Sequence, residues 1–241
     1  MTSVLLAAVL LSLCACGRFT GETQPITKEI PEQTAETPEE GIPSLPTAPV
    51  TVYGEAVMDF LLPMDEYSWE REYPPEYVML HFTSAVMEHR DDPYGEAYIR
   101  EIFMESEIST HYLIQRDGTV YCYVPENRAA WHAGVGELED DPKYTNTMNQ
   151  YAIGIELAAI GSAADMEKYM PAAEYKKLDE TLIGFTDAQY ESLALLVSDI
   201  CTRNDIPMDE THIIGHETYS PDKTDPGELF DWNRVIPETA G

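Results

Sequence analysis

Basic side chains are scarce in this chain. Fourteen Lys and Arg stand against 44 Asp and Glu among 241 residues, giving a formal net charge of −30. A nucleic-acid binder is thereby excluded, since phosphate contacts need clustered Lys and Arg. Adhesion to an anionic lipid or wall polymer through surface charge is excluded for the same reason. A membrane-spanning run is also missing. The uncharged stretch at residues 1–13 (MTSVLLAAVLLSL) falls short of the roughly 20 residues that a spanning helix needs. Cysteine is limited to four residues, and neither Cys122 nor Cys201 belongs to a zinc-ligand spacing. There is no His-Glu-x-x-His and no internal repeat. What remains is 44% hydrophobic, enough for a real core and too much for a disordered acidic polymer.

The apolar N-terminal run ends at Leu13-Cys14-Ala15-Cys16-Gly17, which resembles a bacterial lipobox. Cys16, with Leu13 three residues before it and Ala15 directly before it, fits better than Cys14. Residues 1–15 are expected to be a signal peptide of lipoprotein type, with Cys16 lipidated. An ordinary secretory signal is the alternative. No Lys or Arg precedes Cys16, whereas signal peptides usually start with a basic segment. Residues 16–52 then carry Pro25, Pro31, Pro38, Pro43, Pro46 and Pro49 among Thr and Glu. Proline fixes φ and removes donors, so this segment reads as an extended, disordered tether. The expectation is an exported, membrane-anchored lipoprotein with a monomeric domain over residues 53–241.

Within that domain, Tyr77-Val78-Met79-Leu80 reads as a buried strand that delivers His81 at its end. A helix is expected around Gly95 to Met104, with Ala97, Tyr98, Ile102 and Phe103 on one side. His111–Ile114 and Val120–Val124 flank an Asp117-Gly118 pair, a strong hairpin signal. Ala152–Ala158 reads as a strand with one carboxylate, Glu156. Thr186 and Gln189 form a capping box ahead of a helix of about five turns. His212-Ile213-Ile214 is a last short strand, left by Gly215-His216. These elements predict a single α/β domain with a central mixed sheet flanked by helices.

The chemistry lies at strand ends. His81 and His216 each follow an apolar strand, and Asp225 comes nine residues after His216. Two imidazoles and a carboxylate suffice for a catalytic zinc ion with one position left for water. The surrounding segments run in order: Leu80-His81-Phe82-Thr83; Thr110–Ile114 with Arg116–Val120; Ala130-Trp131-His132-Ala133-Gly134; Ile153-Gly154-Ile155-Glu156-Leu157; Gly215-His216-Glu217; and Lys223–Gly227. In this order and spacing, over about residues 77–235, the chain resembles the zinc-dependent N-acetylmuramoyl-L-alanine amidases of the second amidase family. That family includes a phage-lysozyme branch and the peptidoglycan recognition proteins.

The resemblance implies Zn²⁺ bound by His81, His216 and Asp225, with Glu156 as general base and Lys223 as donor to the oxyanion. Trp131 and His132 are expected to line the substrate groove. The implied reaction is hydrolysis of the amide between N-acetylmuramic acid and L-alanine of the stem peptide, in peptidoglycan or a muropeptide. A non-catalytic muropeptide-binding module on the same fold is the alternative. Thr110 stands where the phage-lysozyme and recognition-protein branches carry Tyr, and Asp225 where they carry Cys. Both branches therefore fit less well than the bacterial amidase branch.

Other uses of these residues stay open from sequence alone. Asp225 could cap a helix starting at Pro226. Glu156 could sit in an ion pair, and Lys223 could be a solvated loop residue. His212 is an alternative to His216, while His111 and His89 read as structural or surface residues. The long inserts at residues 137–150 and 161–184 are expected beside the groove. Cys122 and Cys201 could form a disulfide or remain buried thiols.

Overall fold

The computed structural model describes residues 62–236 except 85–88, 91 and 140, together with the backbone of three two-residue strands between positions 51 and 59. The expected signal peptide, Cys16 and nearly all of the expected tether lie outside the described residues. Two residues of the expected tether segment, Thr51–Val52, pair antiparallel with Glu55–Ala56.

The strands are β1 (Thr51–Val52), β2 (Glu55–Ala56), β3 (Met58–Asp59), β4 (Ser68–Glu70), β5 (Tyr77–Phe82), β6 (Tyr112–Ile114), β7 (Val120–Cys122), β8 (Arg128–Ala130), β9 (Ala152–Leu157) and β10 (Ile213–Gly215). The helices are α1 (Met64–Tyr67), α2 (Glu96–Glu105), α3 (Ala172–Tyr175), α4 (Asp187–Asn204) and α5 (His216–Tyr219). Six strands form the central sheet in the order β10-β5-β9-β6-β7-β3. All its pairs are parallel except the β6–β7 hairpin, so the sheet is mixed, as the sequence predicts.

Residues along β5 alternate between two apolar clusters. Val78, Leu80 and Phe82 join the larger one with Leu193, Val197 and Ile200 of α4, while Tyr77 and Met79 join a smaller one with Tyr144, Met148, Ala152 and Ile214. Burial on both faces explains why β5 reads as a continuous apolar run rather than an alternating one.

Side-chain hydrogen bonds lock α4 to the sheet. The capping box forms, with Thr186 accepting from the Gln189 backbone and Gln189 reaching back to the Thr186 N–H. Gln189 is fully buried and also donates to the carbonyls of Ile114 (3.2 Å) and Ala158 (3.1 Å). At the far end of α4, Arg203 makes a bidentate pair with buried Glu126 at 2.7 and 2.8 Å.

The hairpin turns at Gly118, whose φ of +86° suits glycine. Helix α2 forms where expected, but in a different phase. Ile99, Ile102 and Phe103 face the core and Ala97 is exposed. The β-branched Ile99 outweighs the smaller Ala97 in setting which stripe is buried. Cys122 and Cys201 are both free thiols and both buried.

Candidate metal centre and active site

Register builds the site. His81 on β5 pairs with Glu156 on β9, and Leu80 pairs with Gly215 on β10. His216, one residue further, therefore lies beside His81. Side chains at the same level of adjacent parallel strands project to the same face. Hence His81 and Glu156, with His216 at the neighbouring strand end, form one polar row where the apolar face of Tyr77, Met79 and Ala152 runs out.

The chain returns to this row from the loop after α5. The Asp225 carbonyl accepts from the Glu217 N–H at 3.1 Å, holding the loop against the helix start. Three atoms then converge. Asp225 Oδ2 lies 2.8 Å from His81 Nδ1 and 3.1 Å from His216 Nδ1, and the two nitrogens are 3.1 Å apart. All three residues are buried. No helix begins at Pro226, so Asp225 caps nothing and its carboxylate is committed to the two histidines.

Electrostatics favour a neutral imidazole facing an ionised carboxylate. Burial and the neighbouring His216 push the His81 imidazole down to about 4. Burial also works against the Asp225 charge, but His216 and the hydrogen bonds from both imidazoles win and hold the carboxyl well below its usual range. The Ala133 carbonyl lies 3.0 Å from His216 Nε2 and can only accept, so Nε2 donates to it and Nδ1 is the nitrogen turned toward His81 and Asp225. Bare nitrogens and a carboxylate oxygen are the donor set that divalent zinc takes. Their edges of 2.8–3.1 Å approach the roughly 3.3 Å edge of a tetrahedron with zinc–ligand bonds near 2.0–2.1 Å. The residues present thus fit a metal ion, and they form a buried His-His-Asp group able to hold one.

The remaining expected residues share the pocket. Glu156, Lys223, Trp131 and His132 line the same cleft as the three converging side chains. Glu156 Oε2 is buried with no hydrogen-bond partner. Burial, then the nearby Asp225 charge, raises the Glu156 carboxyl well above its usual range, with Lys223 opposing. Trp131 lies over Trp69, with ring centroids 3.9 Å apart. His132 touches His81, Nδ1 to Nε2, at 3.1 Å.

The other histidines lie elsewhere. His111 is buried and structural, accepting from the Gly154 N–H at 3.0 Å. His212 turns to Asp209 at 2.8 Å and stacks on Tyr77, so it does not compete with His216. His89 is exposed.

Several contributors escaped the sequence reading. Ile99, Ile102 and Phe103 of α2 form an apolar wall of the cleft. Tyr169 reaches it from the 161–184 insert, and the same insert braces the loop carrying Lys223. There the Thr224 hydroxyl donates to the Asp165 carbonyl at 3.1 Å, and Lys168 donates to the Asp222 carbonyl. Buried Arg71 donates to the carbonyls of Glu126, Arg128, Gln150 and Ala152, tying together the segments on either side of His132. A lone Arg between Glu70 and Glu72 was a faint signal. Nothing local announced Tyr169.

A mixed-sheet α/β domain with a buried His-His-carboxylate group at the strand ends, opening into a cleft with a second carboxylate and a lysine, has the make-up of a metal-dependent hydrolase. Comparison with known proteins narrows this. The family model described as N-acetylmuramoyl-L-alanine amidase matches residues 71–228, and the chain belongs to that family. It is 34% identical over 144 residues to the 1,6-anhydro-N-acetylmuramyl-L-alanine amidase AmpD of Citrobacter freundii, covering 59% of this chain and 63% of that protein. It is 32% identical over 164 residues to the protein of the same name from Haemophilus influenzae, covering 68% of this chain and 75% of that one. Among solved structures, a selenomethionine derivative of AmpD superimposes with a TM-score of 0.54 at 26% identity, over 74% of this chain and 92% of that chain.

The converging donors generate a direct expectation. Zinc should raise the melting temperature of the protein, by the equivalent of about 2.7 kcal/mol at a hundredfold excess over Kd. Asp225→Ala should lose that rise. A zinc titration followed by differential scanning fluorimetry reads it, and equal stabilisation of both proteins would remove Asp225 from the site.

Proposed function

We propose that the chain is a zinc-dependent amidase that hydrolyses the bond between the lactyl carbonyl of N-acetylmuramic acid and L-alanine of the stem peptide. The names of its relatives point to muropeptides carrying 1,6-anhydro-N-acetylmuramic acid as one substrate class. One observation carries the proposal. The three converging donor atoms share a single cleft with an unpartnered buried carboxylate and a lysine.

In this reading His81, His216 and Asp225 hold the metal. When bound, zinc supplies Lewis acidity toward a water and toward the amide carbonyl oxygen. Glu156 takes a proton from the attacking water and returns it to the leaving amine. Its proton affinity, raised by burial and by the Asp225 charge, favours taking up that proton. Lys223, at the cleft wall, donates to the oxygen on which charge develops. The α2 wall and Trp131 exclude water and receive the apolar parts of the substrate. Retention of all five groups favours an enzyme over a binding module.

We also propose that the chain is exported and anchored through lipid on Cys16, which rests on the Leu13–Gly17 motif and the proline-rich segment after it. A lipid and a tether would bring the domain of this chain, whose net charge is −30, to an anionic wall that its surface charge cannot hold.

Two tests follow. Glu156→Gln should lower kcat by about 10²–10⁴ and Lys223→Ala by about 10²–10³, while zinc remains bound. Release of stem peptide from anhydro-muropeptide, assayed with and without a chelator, reports this. Muropeptide binding without hydrolysis, even with added zinc, would establish the binding module instead. In cells expressing the full chain, radiolabelled palmitate should mark the wild type and not Cys16→Ser. Labelling of both, or of neither, would refute the anchor.

A further inference from the structure

A histidine that holds a metal needs one ring nitrogen bare and its ring orientation fixed, and the partner of the other nitrogen decides both. In this chain the two partners are consecutive residues. His81 Nε2 lies 3.1 Å from His132 Nδ1, and His216 Nε2 lies 3.0 Å from the carbonyl oxygen of Ala133. One atom holds that pair in place. Asn149 Oδ1 accepts from the backbone N–H of His132 at 3.0 Å and from that of Ala133 at 2.8 Å.

Asn149 is buried, in the short helical turn Met148–Gln150 that runs directly into β9. The strand leaves room for this arrangement. A Cβ at Gly154 would lie 2.6 Å from His132 Cγ, so the ring rests on the one position of β9 that carries no side chain. His132 is thereby pressed against β9, with Nδ1 toward His81.

We infer that Asn149 is the positioning residue for both histidines of the metal site, acting through His132 and Ala133. The inference rests on the proposed zinc site and adds to it how the two imidazoles are set. Asn149 does not line the cleft, and its hydrogen bonds go to the backbone of His132 and Ala133. Its amide oxygen fixes a two-residue bracket whose His132 ring faces His81 Nε2 and whose Ala133 carbonyl accepts from His216 Nε2. Both Nδ1 atoms are thereby turned toward Asp225, where a metal ion would take them. His132 accordingly serves the metal site, rather than only lining the groove.

Zinc affinity is the readout, measured by competition with a chromogenic chelator on the full chain. Asn149→Ala should weaken zinc binding by about 10–100-fold, the usual effect of losing a residue that orients a ligand. Asn149→Asp keeps an oxygen acceptor for both N–H groups and should restore binding to within about threefold of wild type. Wild-type affinity in Asn149→Ala, or equal weakening in both variants, would overturn the inference while leaving the zinc site standing. Failure of the wild type itself to bind zinc would overturn the site and the inference together. A second measurement needs no variant. Long-range nitrogen–proton NMR of the zinc-loaded wild type should show His132 protonated at Nε2 and bare at Nδ1, and a proton on Nδ1 would overturn the proposal.

Discussion

Two imidazole nitrogens and a carboxylate oxygen held 2.8–3.1 Å apart in a buried pocket need protons or a metal ion among them, because bare lone pairs at that distance repel. The fold maintains this arrangement by spreading the task over separate segments. Parallel register sets His81 against Glu156 and brings His216 level with them. The loop after α5 supplies Asp225, and a backbone hydrogen bond to Glu217 keeps it there. The cluster is therefore a property of the whole sheet edge, not of a local motif. Two imidazole nitrogens beside one carboxylate oxygen suit a cation such as zinc that accepts nitrogen ligands.

Charge is organised at two scales. Across the chain the balance is strongly acidic, which keeps the surface from binding anionic polymers. Within the cleft, the neutral His81 imidazole faces one ionised carboxylate, and a second carboxylate is raised toward its protonated form by burial and by the first. Two carboxyl groups pushed in opposite directions divide the work between holding a cation and moving a proton. Lys223 brings an amine to a cleft built from histidines, carboxylates, hydroxyl side chains and apolar walls.

Much of this was legible in the sequence because it rests on short-range pattern. A continuous apolar run ending in His81, a single carboxylate in the apolar stretch of β9, and a Thr-x-x-Gln ahead of α4 each announce themselves within a few residues. The order of the segments around them then pointed to the family. Less visible were residues whose partners are distant backbone groups. Asn149 bonds to His132 and Ala133, and Arg71 to carbonyls as far along the chain as Ala152. Neither pairing follows from periodicity, since both depend on how loops cross over the sheet. The phase of α2 was misread because Ala97 and Tyr98 fit a helical stripe as well as Ile99 does, and only packing against the sheet decides. Asp225 left a second use open, since Asp-Pro is a common helix start, but no helix begins there.

The measurement that bears most directly on the central claim is X-ray absorption at the zinc edge on the zinc-loaded protein. A shell of nitrogen and oxygen at about 2.0–2.2 Å, with outer scattering from two imidazoles that drops to one in His81→Ala, is the predicted result. Coordination by oxygen alone, or an imidazole signal unchanged by removing His81, would contradict it.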